Sequence, residues 1–207
     1  MLKLNRRALI ALAAAMAAAP AFAQEAAPAP AAVEVGDFSL GSPDAPVKIV
    51  EYASFTCPHC ATFHEAVFKN LKRDYIDTGK VHFTLREVYF DRFGLWAALV
   101  ARCGGDMRYF GIVAMLFEQQ AEWTAADDPM QVLANLRTIG LTAGLDGAAI
   151  DACLNDEAKA QAMIARFETN MAADGVEGTP TVFVNGTKHP NMSYADLKAI
   201  IDAELAG

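Results

Sequence analysis

Hydrophobic and polar positions divide the 207-residue chain into stretches of clearly different pattern. Lys3, Arg6 and Arg7 precede an apolar run from Ala8 to Ala19, which Pro20 and the small-x-small sequence Ala21-Phe22-Ala23 close. This three-part layout predicts a cleavable secretory signal peptide over residues 1–23. The run falls short of the ~20 strongly apolar residues that a membrane-spanning helix needs. Residues 24–36 follow as a tether, Ala/Pro-rich from Gln24 to Ala32 and too poor in large apolar side chains to offset the entropy of ordering it.

The pattern then becomes that of a packed domain. Val47 to Tyr52 reads as a strand, and a helical pattern starts near Cys57 with Phe63, Val67, Phe68 and Leu71 on one face, ending before Gly79. Val81 to Val88 is again strand-like. From there to about Ala173 the chain reads as helices. Gly104-Gly105 follows one helix, Asp128-Pro129 starts another that Gly140 is expected to end, and Asn155-Asp156-Glu157 opens a longer one with Ile164, Phe167 and Met171 on its apolar face. The stretch from Met107 to Phe117 and Trp123 is expected to pack in the core. A strand over Thr181 to Asn185 and a Ser193-capped helix from Tyr194 complete an α/β pattern in which a long helical segment interrupts a sheet.

Charge narrows the partners. The whole chain carries a formal −8, and removal of the three signal-peptide cations leaves 14 Lys and Arg against 25 Asp and Glu, a balance of −11. Such a surface repels phosphate backbones, and no basic patch opposes it, so nucleic acid is not expected as a partner.

The four cysteines of an exported chain allow three full pairings. Cys57 and Cys60 are too close for an ordinary structural staple and fall where a strand turns into a helix. There the first cysteine faces unpaired backbone N–H groups and the positive end of the helix dipole, both of which favour thiolate over thiol. Cys57 is therefore expected to be the reactive sulfur and Cys60, one turn further in, the resolving one. Pro58 suits the first turn, where its missing N–H costs nothing, and His59 places an imidazole near the thiolate. A stable thiolate leaves readily, so the oxidised motif should give its disulfide away. Zinc is the competing use of Cys57, Cys60 and His64, but no fourth ligand is evident and no metal or other cofactor is expected.

Val47-Lys48-Ile49-Val50-Glu51-Tyr52-Ala53-Ser54-Phe55-Thr56-Cys57-Pro58-His59-Cys60 resembles the active-site strand and helix start of DsbA-type oxidoreductases. Gly178-Thr179-Pro180 and Phe183-Val184-Asn185-Gly186 extend the resemblance across nearly the whole mature chain. It implies a thioredoxin-like fold, over residues 37–90 and 176–207, with an inserted all-helical domain over 91–175. It further implies a cis peptide bond at Pro180, with the backbone of Thr179 free to pair with an extended substrate beside Cys57. Glu51 would lie beneath the active site, where burial would raise its pKa and suit it to exchange a proton with Cys60. By the same resemblance the substrates are unfolded, cysteine-containing exported polypeptides, the location is the periplasm, the reoxidant is a DsbB-like membrane protein, and the chain works as a monomer.

Cys103 and Cys153 both fall within the helical stretch and can pair without disturbing the first couple, as a structural disulfide worth roughly 4 kcal/mol in the chain-entropy model. Two buried thiols or a second redox relay are the alternatives. Two functional readings compete with a disulfide donor: a reductase or isomerase of the same fold, and a non-catalytic, chaperone-like binder.

Overall fold

The computed structural model describes residues 33–126 and 128–207. The proposed signal peptide and most of the tether lie outside the described residues. The strands, in chain order, are β1 (Phe38–Leu40), β2 (Val47–Ala53), β3 (Val81–Glu87), β4 (Thr181–Val184) and β5 (Thr187–His189). They form one sheet in the order β1-β3-β2-β4-β5. β2 and β3 run parallel, Val47 opposite Val81 through Ala53 opposite Glu87, and the other three pairs are antiparallel.

A parallel pair needs a crossover. Here the crossover is a continuous helical run made of α1 (Pro58–Phe63), a π-helical stretch (His64–Phe68), α2 (Lys69–Leu71) and a second π-helical stretch (Lys72–Ile76). Phe63, Val67, Phe68 and Leu71 are all buried on it, as their spacing predicts. Between β3 and β4 come α3 (Arg92–Cys103), α4 (Gly105–Glu118), α5 (Gln120–Trp123), α6 (Pro129–Thr142), α7 (Gly147–Leu154) and α8 (Glu157–Ala173). α9 (Tyr194–Ala206) closes the fold, its N-cap Ser193 accepting from the Asp196 amide. Carboxylates of Asp91, Asp128, Asp146 and Asp156 cap α3, α6, α7 and α8 in the same way, each such cap being worth ~1 kcal/mol. This is the thioredoxin-like architecture with inserted helices. No helix among the described residues is long and apolar enough to cross a membrane.

One apolar cluster joins the sheet to the insertion: Ile49, Phe83 and Val182 from the strands, Phe63 and Leu71 from the crossover, and Ile112, Leu116, Trp123 and Leu136 from the inserted helices. A buried ion pair reinforces the junction. Arg102 of α3 pairs with Glu87 at the end of β3, Tyr109 of α4 donates to the same carboxylate at 2.6 Å, and a third Arg102 N–H reaches Gly36 O at 3.0 Å.

Three details depart from the sequence reading. Gly140 does not end its helix: α6 runs on to Thr142, and Gly140 lies buried where any Cβ would strike Ile150 of α7. The helix is instead followed by Gly144, at φ +79°. Met107 is fully exposed near the start of α4, whereas Tyr109, Ile112, Val113, Leu116 and Phe117 are buried. The strand expected over Thr181 to Asn185 stops at Val184 as β4, and Asn185 and Gly186, both at positive φ, turn the chain into β5. An Asn-Gly pair between two short strands is a strong hairpin signal.

Candidate active site

The site is assembled where β2 ends. Its last residue, Ala53, leads into a turn closed by the Cys57 amide donating to Ser54 O at 3.1 Å. Thr56 Oγ1 donates to Asp91 Oδ2 at 2.6 Å, and the other oxygen of Asp91 caps α3, so the turn is tied to the start of the insertion. Cys57 is the N-cap of α1, extended at φ −85°, with Pro58 next in the first turn. Its carbonyl accepts from the Cys60 and Ala61 amides at 3.0 and 3.2 Å. Pro58 and His59 are exposed, Cys57 is half-buried and Cys60 is buried. The two sulfurs stand as free thiols.

The loop before β4 completes the site. Thr179 and Pro180 are joined by a cis peptide bond, and the Cys57 thiol donates to Thr179 O at 3.5 Å. Residues 122 positions apart in sequence are thus in contact at the reactive sulfur. Thr179 Oγ1 is buried and makes no hydrogen bond of normal geometry.

Burial above all pushes the Cys60 thiol well up from its ordinary value, and the nearby Glu51 carboxylate pushes the same way. The Thr179 hydroxyl and a Ser54 backbone contact act in the opposite sense. Glu51, in the middle of β2 and buried, has its own pKa raised to about 8 because its charge would lose hydration. The folded chain therefore holds a proton on Glu51 across a range in which the unfolded chain, titrating near 4.5, has lost it. The contribution of Glu51 to stability therefore falls as pH rises from 4.5 toward 8. Glu51→Gln should accordingly be more stable than the parent by about 3 kcal/mol at pH 7, with the advantage vanishing below pH ~4.5. Urea unfolding of both proteins across this range checks it; a gain that does not change with pH would show that burial of charge is not the cause.

His64 lies one turn beyond Cys60 but packs between the rings of Phe68 and Phe117, at centroid distances of 4.5 and 4.9 Å. Burial lowers its pKa to about 4, so it is a neutral core residue at pH 7. Among the described residues, no three of His, Cys, Asp and Glu gather closely enough to hold a metal ion. Cys103, the last residue of α3, is bonded to Cys153 of α7, with Cα atoms 5.9 Å apart.

One residue at the site had no signal in the sequence. Gln120 of α5 is buried, and its Nε2 donates to Phe55 O at 2.7 Å and to Cys57 O at 3.0 Å. It stands 63 residues from Cys57, in a stretch where nothing marks it.

Fold and site together define a thioredoxin-fold protein with a Cys-x-x-Cys dithiol at a helix N-terminus, facing a cis-proline loop. A family model described as thioredoxin matches residues 34–203, and the chain belongs to that family. Its relatives are DsbA-like. Over 174 residues it is 33% identical to a Rickettsia bellii protein named as a candidate protein-disulfide oxidoreductase, covering 84% of this chain and 66% of that one. It thus spans just under two thirds of the length of this relative. It is 27% identical to disulfide bond formation protein D of Bacillus subtilis, covering 81% of this chain and 77% of that protein. The crystal structure of Wolbachia pipientis alpha-DsbA1 superposes with a TM-score of 0.75 at 29% identity, over 81% of this chain and 89% of that one.

Proposed function

We propose that this protein is a thiol-disulfide oxidoreductase of DsbA type that donates the Cys57–Cys60 disulfide to pairs of cysteines in unfolded, newly exported polypeptides, without a cofactor. The observation that carries the reading is the asymmetry of the couple: Cys57 half-exposed at a helix N-terminus beside Thr179 O, and Cys60 sealed behind it. Only one sulfur of the oxidised pair can be reached by a substrate thiolate.

In the proposed cycle a substrate thiolate attacks Cys57 Sγ, forming a mixed disulfide and breaking the bond to Cys60. The departing Cys60 sulfur strongly favours its protonated form, and in this reading Glu51, itself protonated up to about pH 8, supplies the proton. The second substrate thiolate then attacks the substrate sulfur of the mixed disulfide, and the Cys57 sulfur leaves at the helix N-terminus. Two electrons pass from substrate to protein in each round, and the substrate gains the disulfide. Thr179 supports an extended substrate in this reading, because its backbone lies against the sulfur at which the mixed disulfide forms.

The couple must then be reoxidised, and a DsbB-like membrane protein is the partner proposed. Export to the periplasm by residues 1–23, action as a monomer and a structural role for the Cys103–Cys153 bond belong to the same proposal, as does the division into 37–90 with 176–207 and an inserted domain over 91–175. Equilibrating the Cys57–Cys60 couple with graded glutathione buffers tests the direction of transfer. A donor gives up its disulfide in mildly reducing buffer, and a reductase does not.

A further inference from the structure

We infer that Gln120 is a positioning residue for the dithiol: from the inserted helices it holds the Phe55–Cys57 turn in place and thereby favours the reduced couple. The inference rests on the thiol-exchange reading of this site and adds to it a residue outside the Cys-x-x-Cys segment and the cis-proline loop.

A side-chain amide is an expensive group to bury unless its N–H groups are paired. Gln120 meets that condition by spending both short contacts of Nε2 on the active-site turn, at Phe55 O and Cys57 O. Among the described residues no other N–H reaches Phe55 O, so this carbonyl depends on Gln120. The helix that carries Gln120 is itself held: Thr124 Oγ1 donates to Gln120 O at 2.6 Å, and Trp123 Nε1 donates to Leu116 O at 2.8 Å. Phe55 also packs on Phe117 of α4, with centroids 5.1 Å apart. The turn is therefore gripped from the insertion at the carbonyls of Phe55 and Cys57, while Asp91 grips Thr56, between them, from the start of α3.

This grip does not act equally on the two redox states. When Cys57 and Cys60 are bonded, the disulfide itself restrains Cys57. When they are thiols, as here, that restraint is gone and the turn relies on hydrogen bonds to keep the Cys57 sulfur against Thr179 O. Losing the Gln120 contacts should therefore destabilise the reduced form more than the oxidised form. The couple should become harder to reduce.

The test is the equilibrium in which the oxidised protein and two glutathione thiols give the dithiol protein and one glutathione disulfide. It is measured for the full mature chain and for Gln120→Met, which keeps the side-chain length and removes the donor. The equilibrium constant should fall about three- to tenfold in the variant, the scale of one buried hydrogen bond. A variant with a lower melting temperature but an unchanged constant would overturn the inference, because a purely structural role moves only the former. Should Gln120→Met fail to fold, the Gln120 side-chain amide resonances of the parent protein decide. Their protons should exchange with solvent more slowly, or shift downfield, in the dithiol form than in the disulfide form, and identical behaviour in both overturns the inference. A parent couple that is hard to reduce would contradict the donor reading alone, since the ratio of variant to parent still judges Gln120.

Discussion

Cys57→Ala and Cys60→Ala should both abolish disulfide transfer to a reduced, unfolded polypeptide, while Cys60→Ala alone, offered a disulfide-bonded polypeptide, should capture it as a mixed disulfide at Cys57. The difference follows from position. Cys57 is the sulfur that solvent reaches at the mouth of the helix, so its removal leaves nothing for a substrate thiolate to attack. Cys60 is buried, and its thiol is strongly held in the protonated form. Its loss leaves no internal disulfide to donate, and a Cys57 that attacks a substrate disulfide, releasing one substrate thiol, has no internal sulfur to resolve the mixed disulfide. Incubating each variant with the reduced and with the disulfide-bonded form of a two-cysteine test polypeptide, followed by mass spectrometry of the products, distinguishes the two. Folding is not the confounder: half-buried Cys57 donates a single long contact, to Thr179 O, and the core cluster holds many larger side chains. Transfer at the parent rate by Cys57→Ala would contradict the assignment of the nucleophilic sulfur.

The second large effect concerns stability. Arg102→Met should destabilise the fold by about 3–5 kcal/mol, because it leaves the Glu87 carboxylate buried without its cation. Glu87 and Arg102 are both buried, and the pair is built into a wider network through Tyr109 and Gly36 O. Arg102 also lies over the Phe38 ring at 5.0 Å, so the same side chain holds the edge strand β1 to the insertion. By contrast, pairs such as Lys198 with Asp202, about half exposed on both sides, should cost under ~1 kcal/mol when broken. Urea denaturation measures both. Adding Glu87→Gln to Arg102→Met should recover part of the loss by removing the stranded charge, whereas a loss no larger than that of a surface pair would mean that water reaches this network.

The elements most legible in the sequence were those that bury a long face. β2 buries Val47, Ile49, Tyr52 and Ala53, β3 alternates with Val81, Phe83 and Leu85 buried, and the crossover helix shows its buried stripe at Phe63, Val67, Phe68 and Leu71. β1 and β5 are three residues each at the two edges, Phe-Ser-Leu and Thr-Lys-His, and nothing so short has a period to detect. Their existence is decided by pairing with β3 and β4, a tertiary fact. Gly140 misled for a related reason: glycine after a helical pattern is a common stop, but here it makes room for Ile150 of a neighbouring helix. At the site, Cys57 and Cys60 stand at one helix start directly after a strand, so local pattern could suggest them. Glu51, Thr179 and Pro180 came from a resemblance, and Gln120 from the fold alone, since its role exists only once α5 is laid against the turn.

The chemistry drawn from the site depends on one quantity, the ease with which the Cys57–Cys60 disulfide is reduced. The most direct measurement is its equilibrium in graded glutathione buffers, with Cys103→Ala/Cys153→Ala as the control that removes the second pair. A couple already reduced in mildly reducing buffer is expected, because Cys57 leaves from the mouth of a helix N-terminus and burial strongly favours the protonated form of the released Cys60. A couple that stays oxidised until the buffer is strongly reducing would contradict the donor and point to a reductase.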